Sequence, residues 1–208
     1  MRINSISKLI VVTILLFATM LFAERTEEEN ILDRLVERYE NLTSFSVEFT
    51  QNNYWKRQNV DLDSFGTLYV SGEQAAIVYR EPIGQKVLYD GVYYVIDDLA
   101  RTIIVAEQNQ ANNLIDPSDI IKHFIQESDV SITKKDAEKV EITLKTKDEY
   151  VAKITVVMQM HDALIESISY DDKDGNRVTF SFKNYDTKSV VDKNIFTKHW
   201  DETYSVVR

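Results

Sequence analysis

His123, His161 and His199 are the only imidazoles in a 208-residue chain that contains no cysteine. A zinc site needs ligands clustered at short spacings, and these three are scattered. Asp171-Asp172-Lys173-Asp174-Gly175-Asn176 looks like half of a calcium loop, but its acids are in the wrong register and no Glu closes it. It reads as a hairpin turn. His199-Trp200-Asp201-Glu202 places carboxylates beside an imidazole with no nucleophile in view, which reads as a solvated tail. Ser131-Ile132-Thr133-Lys134 matches S-x-x-K, yet it falls in an expected strand and lacks the partner motifs. No G-x-S-x-G elbow, P-loop or dinucleotide glycine pattern occurs. In so acidic a chain, any two carboxylates carry little information. The pattern favours a binding protein over an enzyme, with no catalytic residue, metal or cofactor expected.

What the chain does carry is surplus apolar surface. Residues 87–98, VLYDGVYYVIDD, centre on Asp90-Gly91, a signal for a two-residue type I′ turn. Folding about that turn puts Val87, Tyr89, Val92, Tyr94 and Ile96 on one face and Leu88, Tyr93 and Val95 on the other. A half-exposed antiparallel hairpin should be polar on one side. This one is apolar on both, so both faces need a cover, and the C-terminal stretch is the expected cover for Leu88, Tyr93 and Val95.

The elements that would position these residues follow from periodicity. Thr26-Glu27-Glu28-Glu29 reads as a capping box, and Ile31, Leu32, Leu35, Val36, Tyr39 and Leu42 recur at helical spacing up to about residue 42. The period then becomes two: Phe45, Val47 and Phe49 alternate with Ser46, Glu48 and Thr50. Strands are expected near 64–71, 74–80, 85–89, 92–97 and 101–106. A second helix begins at Asp116 and Pro117, with Ile120, Ile121, Phe124 and Ile125 as its apolar stripe and Lys122 and His123 off it. Strands resume near 129–134, 138–146, 150–160, 163–171 and 176–186, and the stretch from Asp186 onward has less pattern. Eleven strands and two helices result. So long a sequential antiparallel sheet tends to curl, with amphipathic helices available to fill or cap it. On periodicity alone, an ordinary α+β core covered by helices is the plainer reading.

Compartment comes from the first 23 residues. Arg2 and Lys8 precede an apolar run over 9–22, and Ala23 is followed by Glu24-Arg25-Thr26-Glu27-Glu28-Glu29. That is the layout of a secretory signal peptide, and the run is short for a membrane span of about 20 residues. Cleavage near Ala23 leaves 24–208 as a single soluble, exported domain of ~185 residues, enough for a real core. The formal charge is −10 and becomes two units more negative once Arg2 and Lys8 leave. Such a chain repels nucleic acid and anionic membranes at long range.

The order of features resembles the LolA family, periplasmic carriers of outer-membrane lipoproteins. Leu42-Thr43-Ser44-Phe45-Ser46-Val47-Glu48-Phe49-Thr50-Gln51 is similar to the family's "sF.a.FtQ" segment. Gly66-Thr67-Leu68-Tyr69-Val70 is similar to its "G.l.v" strand, and Glu81-Pro82 with Val87-Leu88-Tyr89-Asp90-Gly91 to its "P…iv.DG" hairpin. The resemblance implies an open, eleven-stranded antiparallel half-barrel, mainly β, capped by helices over a hydrophobic cavity. It implies that the cavity holds lipoprotein acyl chains, taken from an inner-membrane ABC transporter of the Lol type and passed to an outer-membrane acceptor. Triacylated lipoproteins are then the cargo, the protein a monomer, and its compartment the periplasm. The expected cavity set is Phe45, Val47, Phe49, Ile77, Tyr79, Val87, Tyr89, Tyr94 and Ile96, with Ile120, Ile121, Phe124 and Ile125 in the lid. The related acceptor is itself a lipoprotein, which the absence of cysteine argues against here. One departure is clear: the family's basic residue and proline after the G.l.v strand are missing from Ser71-Gly72-Glu73-Gln74, and the nearest basic residue is Arg80. Alternatives are a LolA-like sensor of lipids or lipoproteins, a secreted hydrolase, and an envelope protein with a sealed core.

Overall fold

A computed structural model describes residues 27–106, 125, 128–134 and 136–207. Contacts divide the chain into two units, Met1–Asp33 and Arg34–Arg208. The first contributes the opening turns of helix α1 (Glu27–Asn41), where Glu27, Glu28 and Glu29 place three carboxylates at the positive end of the helix dipole. Thr26, the other half of the expected capping box, the leader over 1–23, and the expected helix from Asp116 through Phe124 lie outside the described residues. The helix ends at Asn41, one residue short of the expected stop.

The second unit is built on a twelve-stranded sheet. Its first arm runs β1 (Ser44–Trp55), β2 (Val60–Ser71), β3 (Gln74–Glu81), β4 (Gln85–Tyr89), β5 (Tyr93–Asp97) and β6 (Thr102–Ala106). The second arm runs β7 (Asp129–Lys134), β8 (Lys139–Lys145), β9 (Val151–Gln159), β10 (Ile165–Asp172) and β11 (Arg177–Asp186). Each arm is an antiparallel meander in which chain neighbours are sheet neighbours, as short polar turns dictate. One long-range seam, β1 against β11, joins them. The twelfth strand, β12 (Ser205–Val207), pairs in parallel with β6, so β12 and β7 form the two edges and the sheet stays open as a half-barrel. All eleven expected strands are present, and the patternless tail adds one.

The Asp90-Gly91 hairpin departs from its expected register. Tyr89 pairs with Tyr93, Leu88 with Tyr94 and Val87 with Val95, so the loop holds three residues, 90–92, rather than two. Gly91 has φ of 90° and Asp90 is not at positive φ, whereas a type I′ turn requires positive φ at both positions. One extra loop residue slips the second strand by one, and a one-residue slip exchanges its faces. Val87, Tyr89, Tyr93 and Val95 therefore share one face, and Leu88, Tyr94 and Ile96 share the other.

The tail covers that second face. Ala76, Leu88, Ile96 and Ile103 are buried together with Val191 and Phe196, and Tyr94 packs beside them with Ile195 and Trp200. A short 3-10 helix (Lys193–Phe196) presents Phe196, and its start is fixed by Asp192, whose carboxylate accepts the Asn194 N–H at 2.9 Å. Trp200 lies 5.8 Å from the Tyr94 ring, and Lys198 reaches over the same ring at 4.0 Å while its Nζ sits 2.6 Å from Asp90. Leu88 thus receives its expected C-terminal cover, whereas Tyr93 and Val95, turned to the opposite face, do not. His199-Trp200-Asp201-Glu202 is not simply a solvated tail, because its tryptophan is a packing residue.

The part of α1 in the second unit is clipped to the sheet by two tyrosines. The register shifts between Ile165 and Ser167: Ile165 still pairs with Met158 on β9, but pairing with β11 begins only at Ser167. The Ile165 N–H donates to Tyr39 Oη at 3.1 Å, and its carbonyl accepts from Tyr185 Oη at 2.8 Å. Tyr185 has spent its only proton, so in the 3.3 Å contact between the two hydroxyls Tyr39 is the donor. Burial, reinforced by Tyr39, pushes the Tyr185 phenol well above its ordinary value.

Candidate ligand-binding face

Antiparallel partners point to the same side of a sheet, so register carries one face across all the strands. Starting from Phe45, Val47 and Phe49, the partners on β2 are Val70, Leu68 and Gly66, and those on β3 are Ala75, Ile77 and Tyr79. Ala75 and Ile77 pair with Tyr89 and Val87 on β4, which pair with Tyr93 and Val95 on β5. In the other direction Phe49 pairs with Phe182 and Gln51 with Phe180. Ile168 and Tyr170 follow on β10, Val156 and Ile154 on β9, and Ile142 and Leu144 on β8. One inner face, mainly apolar, therefore runs from β5 to β8.

Seven of the expected cavity residues, Phe45, Val47, Phe49, Ile77, Tyr79, Val87 and Tyr89, lie together on this face. Tyr94 and Ile96 do not: the three-residue loop turns them to the outer face, under the tail. Ile120, Ile121 and Phe124 fall outside the described residues, and Ile125 is a half-buried turn residue. The arm from β8 to β11 was missing from the expected set. Its signal was present in the sequence, since Ile142, Leu144, Ile154, Val156 and Ile168 alternate within strands that periodicity marks.

Packing grades along the face. At the end near Tyr39, Phe45 meets Tyr39 edge-on at 6.3 Å and Tyr185 at 6.0 Å, and it is only 1% exposed. Midway, Phe49 packs between Tyr79 at 5.5 Å and Phe180 at 5.7 Å. Gly66 makes room for that ring: a Cβ there would lie 2.7 Å from Phe49 Cζ and 2.5 Å from the Val78 carbonyl oxygen. Burial pushes the Tyr79 phenol up to about 12, and its O–H donates to Gln51 Oε1 at 2.9 Å. Towards the β1–β2 turn the same face opens. Trp55, Val60 and Leu62, on it by register, are 42%, 38% and 49% exposed. These three stand at the tip of the β1–β2 hairpin, where Asp61 and Asp63 on the opposite face are exposed as well.

The described residues hold no group of three or more His, Cys, Asp or Glu side chains placed for a metal. The Asp171–Asn176 stretch is a turn, in which Asp172 accepts the Asn176 N–H at 2.8 Å and its Nδ2–H at 2.7 Å.

Comparison with known proteins agrees with this architecture. Residues 40–199 match the family described as outer membrane lipoprotein carrier protein LolA. The chain belongs to the LolA family. Comparison with curated protein sequences gives no match. Among solved structures, an uncharacterized conserved protein from Thermus thermophilus is similar at a TM-score of 0.57 and 10% identity, over 88% of this chain and 99% of that one. A chain of the Pseudomonas aeruginosa MucA/MucB complex is similar at a TM-score of 0.51 and 14% identity, over 82% of this chain and 60% of that one. Likeness at such identities establishes the fold.

The turn after β2, Ser71-Gly72-Glu73-Gln74, is where the sequence lacks the expected basic residue and proline. Gly72, at φ of 60°, donates its N–H to the Thr43 carbonyl at 2.8 Å, so a backbone bond ties this turn to the residue before β1. Arg80 is directed to the outer face, where its guanidinium lies 3.8 Å from Glu48.

Proposed function

We propose that this LolA-family protein is a periplasmic carrier that binds lipoprotein acyl chains on the inner face of its half-barrel and delivers them from the inner to the outer membrane. The observation that supports it is the inner face itself: mainly apolar surface across β8–β11 and β1–β5, exposed to water at Trp55, Val60 and Leu62. The task suits that surface. A buried methylene is worth about 0.8 kcal/mol, so a 16-carbon chain held out of water gains on the order of 12 kcal/mol. A lipidated protein crosses an aqueous compartment at a useful rate only inside such a container. In this reading residues 1–23 are the export signal and 24–208 the carrier domain, acting as a monomer. A Lol-type ABC transporter is the donor and an outer-membrane protein the acceptor, and the protein is not an enzyme.

Recovery of the mature protein from its native envelope, followed by native mass spectrometry, tests the proposal. Bound triacylated lipoprotein is the expected result. Bound free phospholipid alone would replace lipoprotein carriage with lipid carriage. A protein that neither carries an acyl species nor takes up a solvatochromic acyl probe would refute both.

A further inference from the structure

The inner face is not uniformly apolar, and on β1 to β5 its amide side chains fall in one place. On β1 to β5 the two rows nearest Tyr39 are aliphatic and aromatic, with hydroxyls only at Tyr89 and Tyr93: Phe45, Val70, Ala75, Tyr89 and Tyr93, then Val47, Leu68, Ile77, Val87 and Val95. Towards the β1–β2 turn the same columns change character. Gln51 and Asn53 continue β1, Ser64 pairs with Gln51 on β2, and Tyr79 ends the inner side of β3. Gln85 and Asp97 pair at the matching end of β4 and β5. The facing arm does not change: Gln51 and Asn53 pair across the seam with Phe180 and Val178, and Ile168 and Tyr170 lie beyond them. Gln51, Asn53, Ser64, Tyr79, Gln85 and Asp97 thus form a polar band on one wall, with Leu62, Val60 and Trp55 beyond it towards the turn, and the paired positions of the other wall carry neither amide nor carboxylate.

The polar wall is organised to donate. Tyr79 Oη–H donates to Gln51 Oε1, and Gln51 Nε2 donates in turn to Asn53 Oδ1, both at 2.9 Å. Gln85 Nε2 donates to Asp97 Oδ2 at 3.1 Å. Asp97 is itself fixed by the N–H groups of Ala100 and Leu99, and these bonds, Ala100 foremost and then Gln85, hold its carboxyl below the ordinary value. These contacts use the carbonyl oxygens of Gln51 and Asn53 and one amide hydrogen from each glutamine. Among the described residues that leaves one N–H on Gln51, one on Gln85 and two on Asn53 directed by a fixed scaffold. Half-buried N–H donors beside hydrocarbon are satisfied best by a ligand with neutral carbonyl oxygens.

We infer that this belt binds the carbonyl oxygens of ester- and amide-linked acyl chains, fixing the ligand with its hydrocarbon toward Phe45 and its polar linkage at Gln51, Asn53 and Gln85. The inference rests on the carrier reading and adds what that reading lacks, the direction and depth at which cargo lies. Hydrocarbon alone gives binding without register. A row of donors across one wall supplies the register and selects acylated glycerol over unfunctionalised hydrocarbon.

The test compares three probes on the mature protein: N-phenyl-1-naphthylamine, which has no carbonyl, a synthetic triacylated cysteinyl peptide, and a diacyl phosphatidylcholine. The Gln51→Leu/Asn53→Leu double variant keeps side-chain bulk and removes the donors. It is expected to weaken the peptide about tenfold, the net worth of one or two hydrogen bonds, with the naphthylamine unchanged. Equal weakening of the phospholipid assigns the belt to the shared ester carbonyls, and weakening of the peptide alone assigns it to the amide-linked chain. A measurement on the unaltered protein stands beside this: infrared spectra of carbonyl-13C-labelled peptide should show a carbonyl band shifted to lower frequency on binding. Unchanged peptide affinity in the double variant, or a bound carbonyl band like that in alkane, overturns the belt while leaving the carrier reading intact. Failure of the unaltered protein to bind any of the three probes overturns both.

Discussion

Gly66→Ala should destabilise the protein, and the structure sets the sign. Gly66 has an ordinary backbone φ, so alanine is conformationally acceptable there and would by itself stabilise by about 0.4–1 kcal/mol through the unfolded chain. Against this, the new Cβ would sit 2.5 Å from the Val78 carbonyl oxygen and 2.7 and 2.8 Å from two atoms of the Phe49 ring. Neither partner is a flexible chain end. The carbonyl is backbone within β3, and the ring is held between Tyr79 and Phe180. Overpacking costs about 1–3 kcal/mol, and contacts this short to rigid partners put it at about 2–3, so the net loss should be at least about 1 kcal/mol. Urea titration should show a lower midpoint at unchanged slope, and the melting temperature should fall by about 2–8 °C. Phe49→Leu in the same background separates the two contacts. If the ring dominates, the double variant loses less than the sum of the single losses; if the carbonyl dominates, the losses add. A Gly66→Ala protein as stable as the unaltered one would refute this account of the inner-face packing.

Stability should fall above pH 10. The Tyr79 phenol is raised from an ordinary 10.0 to about 12, and Tyr185 is raised as well, so the fold favours the neutral form. That contribution is complete below the unfolded-state value near 10 and is lost as pH rises through the folded value. Tyr79→Phe should flatten the dependence of the urea midpoint on pH between about 10 and 12. Tyr185→Phe should cost about 1–3 kcal/mol at neutral pH, because it removes the hydroxyl that donates to the Ile165 carbonyl. Phe196→Ala should cost about 3 kcal/mol or more by uncovering Leu88, Ile96 and Ile103, while acyl-probe affinity stays unchanged because those residues face away from the inner surface.

Much of this architecture was readable from the sequence because a strand with one buried face writes its burial as alternation. Phe45, Val47 and Phe49, each only 1% exposed, are the clearest case. The long second arm was equally marked, by Ile142 and Leu144 on β8 and Ile154 and Val156 on β9. Misreading began where one residue decides the outcome. Asp-Gly suits a two-residue turn, but the loop takes Val92 as a third member, and Tyr94 and Ile96 change sides as a result. Non-local contacts left no local pattern to read. Ser205–Val207 becomes a strand only because β6 offers an edge, and the Tyr39–Tyr185 clip joins residues 146 positions apart. The polar belt was hidden for a related reason. Gln51, Ser64 and Gln85 look unremarkable on their own strands and form a row only once register aligns them.

The central claim, that cargo lies on the inner face, is tested most directly by photo-crosslinking from two positions on neighbouring strands. A photoreactive residue at Val87 looks onto the inner face, and one at Tyr94 looks out beneath the tail. With a radiolabelled triacylated peptide bound, the account predicts strong labelling from position 87 and none above background from position 94. Labelling from position 94, or from neither position while the peptide remains bound, would contradict it.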